Sequence, residues 1–396
     1  MSKKKVLLAF SGGLDTTYCA FHLKEDLGLD VYTALVNTGG FSEEELAETD
    51  RRAKAYGVVE HQNLEVTQQF YDECLKYLIY GNVLKNNTYP LCVSAERAFQ
   101  ALAIAKHAKE IGADYIAHGS TGAGNDQVRF DLIFQIICPD IEIITPIRDN
   151  KLSRQQEIEY LAKKGLDLPW EKAKYSINKG LWGTSVGGEE TLTSDQTLPE
   201  HAFPSQVEKE GSEEVDLEFE KGELVGMNGV KMGAVAVIEK LNDIASKYGI
   251  GRDIHVGDTI IGIKGRVGFE AAAPVVILKA HHTLEKHTLT KWQLHWKEQL
   301  ANWYGMMLHE GQFLDPVMRD IEVFLENTQR NVNGTVKVSL GVYRFFVIGI
   351  VSDNDLMASE FGQYGEMNNG WSGEDVKGFT KILANQSKIY NSINDD

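Results

Sequence analysis

An α/β fold is predicted for this chain: a parallel-sheet domain with helices on both faces, a second α+β domain, and a C-terminal helix. Three observations predict it. Short apolar runs alternate with helical patterns from Lys5 to Ile111, the rhythm of strand–helix–strand units. The character changes near Lys164, where Leu168-Pro169-Trp170 interrupts a helical pattern and a glycine-rich stretch follows. The last residues, Gly378 to Asn394, carry a polar amphipathic pattern. These divide the chain into 1–167, 168–375 and 376–396.

Each element has its own signal. Lys5 to Phe10 is a short apolar run, as in a buried strand, and Asp30 to Val36 is another. Thr16 to Leu27 has helical spacing, with Tyr18, Phe21 and Leu23 among polar residues. Ser42 opens a charged helix to Tyr56, with acids in its first turn. Val58 to His61 and Asp114 to His118 read as strands, Gln68 to Tyr80 and Ala95 to Ile111 as helices. Further on, Ser176 to Gly188 reads as loop, Val207 to Gly222 as an acidic separator between short β runs, and Thr283 to Met307 as one long helix.

The composition narrows the function classes. With 43% hydrophobic and 24% charged residues, the 396-residue chain can build ordinary globular cores. A net charge of −17 argues against a general affinity for nucleic acid. No apolar run is long enough to span a membrane, and the run after Met-Ser-Lys-Lys-Lys is too short for a secretory signal. Cys19, Cys74, Cys92 and Cys138 form no CxxC pair or zinc spacing, which fits reduced thiols in a cytoplasmic protein.

The first chemical signal is Ser11-Gly12-Gly13-Leu14-Asp15-Thr16-Thr17, directly after the first strand. Two glycines let the backbone turn sharply and approach a phosphate, and the free N–H groups of the next helix face the anion. Ser11, Thr16 and Thr17 add hydroxyls. The pattern is not GxxxxGK[ST]. The second signal, HGSTGAGNDQVRF from His118 to Phe130, also lies at the carboxyl end of a strand, where ligands of such sheets sit. Arg129 and Asn125 suit carboxylates, Asp126 suits an ammonium, and Thr121 and Gln127 add further polar groups. His118 sits at a strand end, where a histidine serves as a structural hydrogen-bonder as readily as a proton carrier, and it is assigned no catalysis.

SGGLDT resembles the loop of the N-type ATP pyrophosphatases, which cleave ATP between the α and β phosphates. HGSTGAGNDQVRF, Tyr89-Pro90-Leu91 with Ser94, Glu96 and Arg97, SINKGLWGTS from Ser176, and GRDIH with IGIKGR from Gly251 together resemble the argininosuccinate synthase family. The resemblance implies ATP with Mg2+, L-aspartate and citrulline as reactants, no metal held by protein side chains, and a homotetramer held partly by C-terminal segments. It implies that Ala9, Phe10, Ser11, Gly12, Gly13, Leu14, Asp15, Thr16 and Thr17 hold the nucleotide, with Val36 and Gly119 beside it. Thr121, Asn125 and Asp126 match the family's aspartate site. Tyr89, Ser94, Asn125, Arg129, Ser176 and Ser185 match its citrulline site, and Asp126 and Arg129 would position the reactants.

The pattern breaks at the citrulline head group. The family has a Glu seven positions before the Lys of IGxKxR and a Tyr five after it; here, around Lys264, these are Gly257 and Phe269. The Asp of the family's SxDxN is Asn178, followed by Lys179. An α-ammonium buried without an acceptor costs on the order of several kcal/mol. Either Asp258 or Glu270 takes over, or the substrate is an N-acylated citrulline such as N-succinylcitrulline. The SGG loop alone also admits an amide ligase, a tRNA-modifying enzyme, or a non-catalytic adenine-nucleotide module.

Overall fold

The computed structural model describes residues 3–166, 175–361, 364–366 and 370–394. Leu168-Pro169-Trp170 lies outside them. The amino-terminal half is built on five parallel strands: β1 (Lys5–Ala9), β2 (Asp30–Asn37), β3 (Glu60–Glu65), β4 (Tyr115–Ala117) and β5 (Glu142–Ile144). Their order is β3-β2-β1-β4-β5. The chain leaves β1 toward one edge and returns through β4 to the other, so the order reverses between β1 and β4. A crevice opens at such a reversal, outside the carboxyl ends of the strands. The SGG turn follows β1 and the His118 stretch follows β4, so the topology alone sets both at one crevice.

The helices follow the expected order with small shifts. Ser42 caps Glu43–Ala55 through a reciprocal capping box with Glu45. The helix after the SGG turn starts at Leu14, and Cys92–Glu110 starts three residues before Ala95.

Two antiparallel sheets form the second half. One orders β10-β9-β8-β13-β14, from β8 (Ser212–Glu220), β9 (Glu223–Met227), β10 (Val230–Lys231), β13 (Gly334–Gly341) and β14 (Arg344–Val351). The other orders β11-β12-β7-β6, from β6 (Ser176–Gly180), β7 (Gly183–Gly187), β11 (Arg252–Asp258) and β12 (Lys264–Glu270). The largest apolar core runs across both halves: Phe99 of the helix Cys92–Glu110 packs on Phe313, with ring centroids 5.1 Å apart.

Several expectations are corrected. The glycine-rich stretch from Ser176 is a hairpin, β6–β7, whose two-residue turn is Leu181-Trp182 between the paired Gly180 and Gly183. The acidic separator contains β8, in which Val215, Leu217 and Phe219 point inward while acids point out, a period of two masked by the charge. The long helix at Thr283–Met307 is two helices, Ala272–Thr288 and Lys291–His309, because Thr290 and Gln293 form a capping box that restarts the chain. The terminal helix is likewise two, Gly373–Leu383 and Asn385–Asn394. Among the described residues no helix is long and apolar enough to cross a membrane.

Candidate active site

One cavity of about 1140 Å³ lies at the β1/β4 crevice and reaches the β6–β7 and β11–β12 sheet. Its first end is made of backbone. Gly12 turns with φ +73°, and Gly13 precedes the helix Leu14–Phe21 without a side-chain cap, leaving the first amides of that helix open. Gly119 comes so close that a Cβ there would lie 3.3–3.4 Å from Asp15 and Thr16, which is how the two motifs are pressed together. Ala9, Phe10, Ser11, Gly13, Leu14, Asp15, Thr16 and Val36 border the cavity. Gly12 and Thr17 do not: Gly12 supplies the turn, and Thr17 is fully buried beneath it. Asp15 faces Glu157 of the helix Arg154–Lys163. Burial and the nearby Asp15 charge push the Glu157 carboxyl up to about 8, and burial raises Asp15 as well.

Most of the His118 stretch borders the cavity, and several of its residues also brace one another. His118 Nδ1 accepts from the Ser120 amide (3.2 Å), so its Nε2–H donates to Asp131 (2.8 Å), which also pairs with Arg148 at 2.6 Å. His118 is buried at the cavity wall with both ring nitrogens engaged by these bonds. Gln127 donates to the carbonyls of Gly122 and Gly124 and folds the glycine loop. Asn125 Oδ1 accepts from the Ile260 amide at 2.8 Å, tying this loop to the β11–β12 turn. Gly119, Thr121, Asn125 and Asp126 border the cavity.

The middle of the cavity is a charged cluster. Asp126 accepts from Arg97 Nε and from Arg129 Nη1, both at 3.0 Å. Burial opposes ionisation of Asp126, but the two guanidinium charges outweigh it and hold the carboxyl below its ordinary range. Arg97 reaches on to Asn178 Oδ1 at 2.8 Å, and Asn178 donates to Ser185 Oγ at 3.3 Å. Arg129 donates to Ser94 Oγ (3.0 Å) and to the His309 carbonyl (2.8 Å). Beside them Glu96 is buried, accepts from Thr38 and Gln100, and has its carboxyl raised by burial.

The second end is made of side chains from distant segments. Leu91 takes a left-handed backbone (φ +66°), held by the Trp182 indole donating to Pro90 O at 2.9 Å. This kink sets Tyr89 against the cavity, where its hydroxyl accepts from the Val93 amide. His255 stacks on Tyr89, with centroids 5.1 Å apart and planes at 21°. Ser94, Arg129, Ser176, Asn178, Lys179, Ser185 and Gly257 border the cavity, but Phe269 is buried behind Tyr89 and does not. Glu270 points elsewhere, into Arg252 (2.8 Å) and Ser205. Asp258 touches the cavity rim but pairs with Lys264 at 2.7 Å.

Residue patterns gave no cue to His309 or His255 as cavity residues. His309 ends a helix whose pattern runs through it, and the ring of His255 is placed only by the pairing of β11 with β12.

Two family models match: the arginosuccinate synthase N-terminal HUP domain over residues 5–167 and the arginosuccinate synthase C-terminal domain over residues 175–390. The argininosuccinate synthase of Methanocaldococcus jannaschii is 37% identical over 387 residues, covering 97% of each chain. Those of Dictyoglomus thermophilum (36%, 98% of each chain) and Pyrococcus furiosus (35%, 98% of this chain and 95% of the relative) are similar to the same extent. With both halves matched, and with full-length relatives that form carbon–nitrogen bonds, this chain belongs to the argininosuccinate synthase family of ligases.

Proposed function

We propose that the chain condenses a citrulline-type ureido amino acid with L-aspartate, consuming ATP and releasing AMP and pyrophosphate, as a step of arginine biosynthesis in the cytoplasm. The observation that carries this reading is the convergence of the SGG turn and the Asp126–Arg97–Arg129 cluster on one cavity large enough for a nucleotide beside two amino acids.

A ureido carbon is a poor electrophile. Its oxygen attacks the α-phosphorus and pyrophosphate leaves; the aspartate amine then attacks the carbon, and AMP departs with the former ureido oxygen. The chain supplies mainly position and charge. The open amides after Gly13 and the hydroxyls of Ser11 and Thr16 face the phosphates, with Val36 and Gly119 beside the nucleotide. Mg2+ travels with the triphosphate; among the described residues no three carboxylate, histidine or cysteine side chains gather as a metal site. Thr121, Asn125 and Asp126 receive aspartate. Tyr89, Ser94, Arg129, Ser176 and Ser185 receive the ureido substrate. Asp126 keeps Arg97 and Arg129 in place and remains anionic for the aspartate ammonium.

A specific observation favours an N-acylated citrulline over the free amino acid. The two substitutes for the missing family Glu differ: Glu270 is locked in a buried pair with Arg252, whereas Asp258 lies at the exposed cavity rim with its charge offset by Lys264. As a partner, a second copy of the chain suits the terminal helices, whose Phe379, Ile382 and Leu383 are exposed. A homotetramer would cover them, and deletion of 373–396 would then reduce the assembly size in sedimentation.

The test of function is AMP release. It should require ATP, aspartate and a ureido amino acid together. ADP as the product, or turnover without aspartate, would refute the reading.

A further inference from the structure

The second end of the cavity carries unsatisfied polar groups. Arg129 Nη2 lies 3.3 Å from His309 Nδ1, and Ser94 Oγ lies 3.0 Å from it. A guanidinium can only donate, so Nδ1 is an acceptor and the proton of the neutral ring sits on Nε2. That Nε2–H is buried and makes no well-formed hydrogen bond, its nearest acceptor being the Asp258 backbone carbonyl. His255 also borders the cavity, and its Nδ1 is buried and unpartnered. Both rings are more than nine-tenths buried. Glycine at 257 is what admits the His255 ring: a Cβ there would stand 2.6 Å from His255 Nε2.

A cation lies near enough for its charge to act on both rings, although it does not itself line the cavity. Lys85 pairs through its backbone with Tyr89, and the adjacent Asn86 donates to Val256 O on β11. The Lys85 ammonium is half-buried and makes no hydrogen bond or ion pair among the described residues. After burial, its charge is the next influence lowering His255, and it also contributes to holding His309 at about 3. Asp258 and Glu310 are the acids that act on Lys85, and Asp258 is already paired with Lys264. This end of the cavity therefore offers donors and positive charge, and the carboxylate at its rim, Asp258, has its charge offset by Lys264. An ammonium gains little there, whereas a carboxylate finds one unsatisfied nitrogen on each of two rings and a nearby ammonium on a flexible stem.

We propose that His255, His309 and Lys85 form a receptor for an acidic acyl group on the α-nitrogen of the ureido substrate. The preferred substrate is then a ureido amino acid acylated by a dicarboxylic acid. This rests on the ligase reading and adds to it the substrate class and the residues that select it. Acylation makes the α-nitrogen a neutral amide, which removes the need for the absent acid at 257, and the far carboxylate of the acyl group meets the donors.

Three substrates test it on the full-length enzyme, by kcat/KM for AMP release with ATP and aspartate saturating: citrulline, N-acetylcitrulline and N-succinylcitrulline. The proposal expects N-succinylcitrulline to exceed N-acetylcitrulline at least tenfold, and free citrulline to be the poorest. Lys85→Gln, whose melting temperature reports its fold, should shrink the succinyl-to-acetyl ratio at least fivefold. His309→Phe serves as the second variant and should lower the same ratio. Preference for free citrulline, equal use of the two acyl compounds, or an unchanged ratio in both folded variants overturns the proposal and leaves the ligase reading standing. If none of the three supports AMP release, both fall.

Discussion

The two ends of the cavity are built differently. The proposed nucleotide end is backbone: one contiguous turn, two glycines, an uncapped helix, and Gly119 just after β4, where a Cβ would stand only 3.3–3.4 Å from Asp15 and Thr16. The ureido end is side chains: Tyr89, Ser94, Arg129, Ser185, His255 and His309 come from five separate stretches of chain. Backbone recognition is indifferent to side-chain drift, provided the glycines remain. Side-chain recognition can change with a few substitutions. An enzyme that keeps its nucleotide chemistry and alters its second substrate should therefore vary at the ureido end, and Gly257 and Phe269 stand there or directly behind it, while Asn178 joins the central cluster and Lys179 faces Glu45.

Breaking the joint between the ends should have the largest effect. Asp126→Ala leaves Arg97 and Arg129 facing each other, each with a lost partner; a broken buried pair costs about 3–5 kcal/mol, and because the Asp126 side chain is 34% exposed the lower end of that range applies. Both chemical denaturation and AMP release should register it, with activity down on the order of 100-fold at 2.7 kcal/mol or more. An unchanged midpoint would show that the two ends are independent. Next comes Gly119→Val, which must separate Asp15 and Thr16 from the His118 stretch. Overpacking costs about 1–3 kcal/mol, so KM for ATP should rise on the order of tenfold while KM for the ureido substrate stays nearly fixed. Gly257→Ala sharpens the opposite end: its Cβ displaces His255, and KM should rise severalfold for the ureido substrate but not for ATP.

The smallest effect tests the ground under the nucleotide turn. Glu157 carries a carboxyl raised to about 8 from its ordinary value of 4.5. The folded state thus binds a proton that the unfolded state has already released, and stability falls as pH rises from 4.5 through 8. Glu157→Gln removes this slope. Its melting temperature should exceed that of the native chain above pH 8, by on the order of 1 kcal/mol in stability, and match it below pH 5. Parallel melting curves for the two proteins at all pH values would refute the shared proton.

Much of the nucleotide end was legible in the sequence, because its signal is contiguous and its position follows from strand order. A structural hydrogen-bonder was one of two readings of His118, and its bonds to the Ser120 amide and Asp131 are visible only in the folded chain. Strands such as β8 were hidden because charge on the outer face overwhelms the apolar alternation. The break at Thr290 was hidden because helical periodicity continues across it. The ureido end was legible only where a motif held its residues together. Arg97 and Glu96 were in view within the Tyr89 segment, but their link to Asp126 and Thr38 depends on tertiary packing. His309 and Lys85 carry no local signal, since what matters about each is an unsatisfied group beside a cavity formed by other segments.

The central claim is that one cavity brings the ureido oxygen to the α-phosphate. It is tested most directly with a substrate labelled with 18O in the ureido group, followed by mass spectrometry of the nucleotide product. The account predicts one 18O atom in each AMP and none in pyrophosphate. Unlabelled AMP, or label appearing in pyrophosphate, would contradict it.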